Sequence, residues 1–208
     1  VYRNLVNMVF SNKRIEGMRD DIQAIADQLI SEWIDDGEVD LLNRLCVPLP
    51  IYVIADQLGV PRSELTLLKK WSDASTSRLG RLADEEQQIQ NAKDIVEFQH
   101  YFADLIDRMR EHPEDNIISD LANNTIDEGR LLTKPEALGM IQQILVAGNE
   151  TSTNAIAGGV VLLIENPEEQ AKLRANADLI PTAVEEILRL ETPTSGMWRR
   201  ATLDTEID

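Results

Sequence analysis

Seven consecutive residues, Ala147-Gly148-Asn149-Glu150-Thr151-Ser152-Thr153, combine small side chains, one carboxylate and one well-placed alcohol. On a helix, Thr151 shares a face with Gly148 three residues back and Ala147 four residues back. Gly148 removes a side chain where something must come close, at a cost of about 1 kcal/mol to the helix relative to Ala. A small wall with an acid and an alcohol beside it could floor a flat ligand and feed it protons. The same residues also suit a helix–helix crossing that needs small side chains, with Glu150 pairing to a base.

The element that must position them is a long helix. Thr133-Lys134-Pro135-Glu136 reads as its start: a Thr cap, Pro in the first turn, and Glu closing a capping box. Asn166-Pro167 reads as its stop. Between Ala137 and Ile164 the only charge is Glu150, so the helix is expected to be buried on every side. A lone carboxylate there needs a partner or a purpose. Gln142, Gln143, Asn149, Glu150 and Thr151 interrupt the apolar run, which argues against a membrane span.

The chain has 208 residues and 43% hydrophobic content, enough for a sizeable core. No linker-like run or repeat divides it, so one domain over 1–208 is expected. A net charge of −17 argues against nucleic acid and anionic membrane surfaces as partners. A single cysteine rules out an internal disulfide and fits a reducing, cytoplasmic setting. Cys46 lies in Arg44-Leu45-Cys46-Val47-Pro48-Leu49 and reads as a buried small hydrophobe rather than a metal ligand. The triplets Asn123-Asn124-Thr125 and Asn149-Glu150-Thr151 match a glycosylation acceptor by chance, since nothing suggests secretion.

Three further patterns follow the central motif or precede it in order. They are Val47-Pro48-Leu49-Pro50-Ile51, Glu186-Ile187-Leu188-Arg189, and Trp198-Arg199-Arg200-Ala201-Thr202-Leu203-Asp204. With Ala-Gly-x-Glu-Thr, they resemble the soluble, bacterial-type cytochrome P-450 family, the haem-thiolate monooxygenases, over essentially the whole chain. The resemblance implies a mainly α fold with a small β-sheet portion near the C-terminus. It implies haem b (iron protoporphyrin IX), with Ala147, Gly148 and Thr151 against it and Arg3 and Arg199 on its propionates. It makes Thr151 and Glu150 the proton-delivery pair, and Met140, Ile144, Thr194 and Met197 pocket walls. Glu186 and Arg189 become a structural pair; the apolar neighbours Val184, Ile187, Leu188 and Leu190 suggest that it is shielded from water, and Arg189 is expected to bond a third group, backbone carbonyls in the C-terminal part of the domain beyond this sequence. The implied reaction inserts one atom of O2 into a mostly apolar small organic substrate. Electrons would come from NAD(P)H through a separate ferredoxin- or flavin-type donor. The family's iron-ligand cysteine loop and its propionate-binding histidine have no counterpart in this sequence. The resemblance therefore marks the chain as an internal portion of the family's domain, inactive alone and unable to hold haem in its normal form.

The other elements are expected as follows. Val1 to Lys13 reads as helix then turn, and Arg14 to Asp36 as one amphipathic helix. Val39 to Leu42 reads as a short strand or turn, and Leu49 to Leu58 as a buried helix closed by Gly59 and Pro61. Arg62 to Ser77 is a helix, 78–84 a loop, and Glu85 to Glu111 a long charged helix with Ile89, Ala92, Ile95, Val96, Phe102, Leu105, Ile106 and Met109 inward. By resemblance these two helices form a mobile lid with modest apolar content. Helices are also expected over Ile117 to Ala122, Glu168 to Ala175 and from Pro181 to Thr192, with a hairpin from Trp198 to Asp208. Two competing functions remain. One is a non-catalytic helical scaffold. The other is a di-iron carboxylate bundle, suggested by Glu97-Phe98-Gln99-His100, which lacks the second Glu-x-x-His such a site needs.

Overall fold

The structure, a computed structural model, describes residues 7, 10–80, 83–126, 129–194, 196, 200–203 and 206, with the side chains of 78–80 excepted. The chain groups into two compact units, Val1–Thr153 and Asn154–Asp208. Among the described residues the only pairing of extended backbone is one antiparallel bridge, Thr125 with Leu131. The hairpin expected from Trp198 to Asp208 falls largely outside the described residues.

The first unit opens with α1 (Asn12–Gly17) and α2 (Arg19–Ser31). The single helix expected from Arg14 to Asp36 is thus split at Met18, directly after Gly17, and stops short of Gly37, which sits at φ 78°. After 39–41 the chain winds not into a strand but into a π-type turn, Leu42–Cys46, with Val47 N–H bonding the Leu42 carbonyl at 2.9 Å. Helix α3 (Pro48–Leu58) follows, with prolines in its first turn, where no N–H is needed, and Gly59 in the left-handed region as its stop. Gly59 is held to glycine twice over. Its φ is 67°, and a Cβ there would lie 2.6 Å from the Asn116 amide.

A 3-10 turn, Arg62–Glu64, leads into α4 (Leu65–Gly80), which carries helix through residues expected to be loop. Helix α5 (Glu85–Glu111) matches its expected bounds, with the Asp84 carboxylate accepting the Gln87 N–H at 2.8 Å as cap. Helix α6 (Ile117–Asn123) is capped in the same way by Asn116, which accepts from Ser119 N–H at 2.8 Å.

Helices α4 and α5 are not loosely packed. Trp71, Phe98 and Phe102 are fully buried with Leu58, Leu68 and Ile106, and Tyr101 adds a fourth ring. Trp71 meets Phe98 and Phe102 edge-on, each at 5.9 Å between centroids. Such pairs add ~0.5–1.5 kcal/mol each beyond burial. Lys69, Lys93, Asp104 and Glu111 lie on the exposed faces of the two helices. Ile89, Ala92 and Val96, expected inward, are exposed, and Phe98, which was not expected, takes a central place.

The long helix is α7 (Lys134–Glu165), 32 residues and about 48 Å long. Its capping box forms as expected. Thr133 N–H donates to the Glu136 carboxylate at 2.8 Å, and Glu136 N–H reaches Thr133 Oγ1 at 3.5 Å. It is not buried on every side, however. Ala137, Ile141, Leu145, Asn149 and Thr153 are buried at four-residue steps, while Val161 and Ile164 are 52% and 67% exposed. A row at i, i+4 contacts one neighbouring surface only, so one flank of the helix is covered and the other is open.

The second unit continues α7 through Glu165 and adds α8 (Pro167–Ala175), a 3-10 turn at Ala177–Leu179 and α9 (Ile180–Leu190). Gly159 and Gly158 let α7 approach the end of α9. Cβ atoms built there would lie 3.0 Å from Ile187 and 3.1 Å from Glu191. No described helix is long and apolar enough to cross a membrane.

Candidate functional site

The seven-residue motif sits in the uninterrupted helix α7, and the helix turns its residues to two sides. Met140, Ile144, Ala147 and Thr151 recur at four-, three- and four-residue steps and form one stripe. Ala147 is exposed and the other three are half-buried. Met140 and Ile144 also lean on the core of the first unit. This open stripe is narrow and small-walled at Ala147, with the alcohol at its end.

Thr151 Oγ1 donates to the Ala147 carbonyl at 2.6 Å. That bond to the residue four back competes with the ladder at the motif. Glu150 lies beside the stripe and is exposed. The buried carboxylate expected from composition is therefore a solvated one, and no ion pair to it exists among the described residues. The charge costs little because Glu150 lies on a solvent-facing side of α7.

Gly148, Asn149 and Thr153 turn inward instead. A Cβ on Gly148 would lie 3.0 Å from Ile54 Cδ1, so the missing side chain admits α3. Asn149 Nδ2 donates to Ser72 Oγ on α4 at 2.9 Å, both groups buried. Two turns earlier Gln142 Nε2 donates to Ser75 Oγ at 3.1 Å. Thr153 Oγ1 donates to the Cys46 carbonyl at 3.0 Å, again buried. Sequence reading missed Ser72, Asn149 and Thr153. The signal was available, since polar residues replace apolar ones in a four-step row that begins Ala137, Ile141, Leu145.

The remaining expected residues are placed as follows. Thr194 is exposed, in the second unit, and its carbonyl accepts from Thr192 Oγ1 at 3.4 Å. Arg3, Met197 and Arg199 lie outside the described residues. Glu186 and Arg189 form a bidentate pair on α9, at 2.7 and 2.5 Å. Shielding was expected from the neighbouring apolar residues, but the two side chains are 54% and 64% exposed. Val184, Leu188 and Leu190 are themselves exposed, so they cannot cover the pair. Hydrogen bonding to Arg189 still lowers the Glu186 carboxyl below its usual range.

Cys46 has no exposed surface, and burial pushes its thiol up. Its burial is as expected. The di-iron alternative loses its ligands. Glu97 accepts from Lys70 and from Trp71 Nε1, His100 is exposed, and no group of three His, Cys, Asp or Glu gathers among the described residues.

Comparison with known proteins places this geometry. The family model described as Cytochrome P-450 matches residues 82–208. The cytochrome P-450 monooxygenase PikC of Streptomyces venezuelae is 38% identical over 200 residues, 95% of this chain and 46% of its own length. A steroid C26-monooxygenase of Mycolicibacterium smegmatis is 35% identical over 204 residues, 98% of this chain and 50% of its own. The solved structure of CYP109Q5 from Chondromyces apiculatus superposes with a TM-score of 0.85 at 31% identity, over 99% of this chain and 50% of that one. The chain belongs to the cytochrome P-450 family, and it spans about half the length of the curated relatives it matches.

Family membership implies haem, and the residues present fit one side of it. The stripe through Ala147 is open, small and flanked by Met140 and Ile144, as a flat apolar ring requires. The one cysteine of this sequence, Cys46, is sealed in the core and does not fit as a ligand to the group.

Proposed function

We propose that the protein is a haem-dependent monooxygenase that inserts one atom of O2 into a mostly apolar small organic substrate. The observation that carries this reading is the open stripe on α7, with Thr151 Oγ1 poised on the Ala147 carbonyl. The relative named for steroid oxidation supports an apolar substrate. NAD(P)H would supply electrons through a separate ferredoxin- or flavin-type donor. The overall change is R–H + O2 + 2 electrons + 2 protons → R–OH + H2O.

Haem supplies the activation of O2 when it is bound. This chain's residues supply position and protons. Ala147, Met140 and Ile144 offer an apolar wall, and Thr194 and Met197 are proposed as further pocket residues. Threonine in a helix divides between two χ1 wells because its hydroxyl can bond back to a carbonyl. Leaving that bond turns Oγ1–H toward the open stripe, where it can donate to a polar group. Glu150, solvated beside it, can exchange protons with water at its carboxylate. Arg3 and Arg199 are proposed to hold the haem propionates, and Glu186 with Arg189 to act structurally. Residues 1–208 are read as part of one cytoplasmic catalytic domain, a reading supported by relatives that match nearly the whole chain. Alone, the chain is proposed not to retain haem in its normal form, because its single cysteine is buried.

The test is Thr151→Ala in the intact protein. Haem content and substrate binding should be unchanged, while product per NAD(P)H falls about tenfold or more and peroxide rises in its place. Unchanged yield would show that another group delivers the protons. A reduced, CO-treated spectrum without the thiolate-haem band would reject the reading itself.

A further inference from the structure

The turn before α3 puts a proline where one buried carbonyl would find its α-helical donor. In an α-helical ladder the Cys46 C=O would accept from the N–H of residue 50, and residue 50 is proline. The Cys46 carbonyl is deep in the protein, where an unmade hydrogen bond is costly. The donor comes from Thr153, 107 residues later, whose Oγ1–H reaches it at 3.0 Å.

One turn before Thr153 on the same row, Asn149 reaches Ser72 on α4. These two buried polar contacts lead to different elements, the turn before α3 and the middle of α4. Hydrogen bonds are directional, whereas the apolar row Ala137, Ile141, Leu145 tolerates small rotations of the helix. Glu150 and Thr151 lie between the two contacts in sequence and face away from them.

We propose that Thr153, together with Asn149, is a positioning residue that fixes the rotation of α7 and so aims Thr151 along the open stripe. The Pro50-orphaned carbonyl of Cys46 is the fixed point. The effect on turnover rests on the monooxygenase reading; the effect on the helix does not.

Thr153→Val keeps the shape and removes the hydroxyl, and Thr153→Ser restores it. Ile106→Val, in the core on α5, serves as a control that lowers stability elsewhere. Hydrogen exchange is followed on the intact protein without substrate. Thr153→Val should reduce protection of the amides around 148–157 by about tenfold, with Thr153→Ser within about twofold of the parent. Ile106→Val should leave that local pattern in place. In turnover, Thr153→Val should divert electrons from product to peroxide at unchanged substrate affinity, and Thr153→Ser should recover the yield. Equal protection in all variants, or a diversion no greater than that of Ile106→Val, overturns the proposal. If the parent itself consumes no reducing equivalents, the monooxygenase reading fails, and the exchange comparison alone decides the role of Thr153.

Discussion

Gly148→Ala separates two uses of the glycine, admission of a ligand and admission of α3. An exposed or unconstrained Gly→Ala change inside a helix gains about 1 kcal/mol. Here the new Cβ would meet Ile54 Cδ1 at 3.0 Å and Cγ1 at 3.5 Å. Ile54 is buried at the edge of the main core, so its end carbon has little room to move. Overpacking of this kind costs ~1–3 kcal/mol. The single variant should therefore lose about 0–2 kcal/mol once the propensity gain is counted. Ile54→Val removes Cδ1 and alone should cost ~0.5–1.5 kcal/mol. In the double variant the nearest remaining atom is Cγ1 at 3.5 Å, an ordinary contact. The added methyl at position 148 then occupies the space that Cδ1 vacates. The pair should return to within ~0.5 kcal/mol of the parent, with a favourable coupling of about 1–2 kcal/mol.

Urea unfolding of the intact protein, followed by far-UV circular dichroism, measures all four corners of this cycle. A Gly148→Ala variant stabilised by the full ~1 kcal/mol would refute the crossing. The yield of product per electron then reports the other use. If the double variant recovers stability but not yield, Gly148 also serves the open stripe. If it recovers both, the glycine is there for α3.

The Cys46 thiol should resist alkylation at pH 8 in the folded protein and react at once in urea, because burial both hides it and raises it above the usual thiol range; labelling at equal rates in both states would contradict its place in the core. Glu97 is held below the ordinary value of 4.5 chiefly by its hydrogen bond to Lys70, then by the Trp71 indole. Its folded form favours the carboxylate, so the stabilisation is present above the unfolded value and fades as pH falls through the depressed folded one. Thermal unfolding should show Glu97→Gln flatter than the parent between about pH 5 and 3, and parallel curves would remove Glu97 from the α4–α5 contact.

Some of this architecture is legible in the sequence because it rests on local chemistry. Helix α5 is bounded by an Asp cap, and α7 by a capping box and Asn-Pro, signals that act within four residues. What periodicity cannot show is which side of a helix finds a partner. Ile89 and Val96 fit an inward stripe as well as Phe98 does, yet only Phe98 meets Trp71. The same limit governs the central motif. Read as letters, Ala147 to Thr153 is one functional string. Folded, Gly148, Asn149 and Thr153 face α3, α4 and the turn between α2 and α3, while Ala147, Glu150 and Thr151 face away. The crossing is present on the inward side of the helix, and the outward side is the open stripe that we propose as a ligand wall. The inward half satisfies buried polar groups that Pro50 and Ser72 bring from elsewhere. That demand fixes the helix in place, and the outward half can then hold a hydroxyl where chemistry needs it.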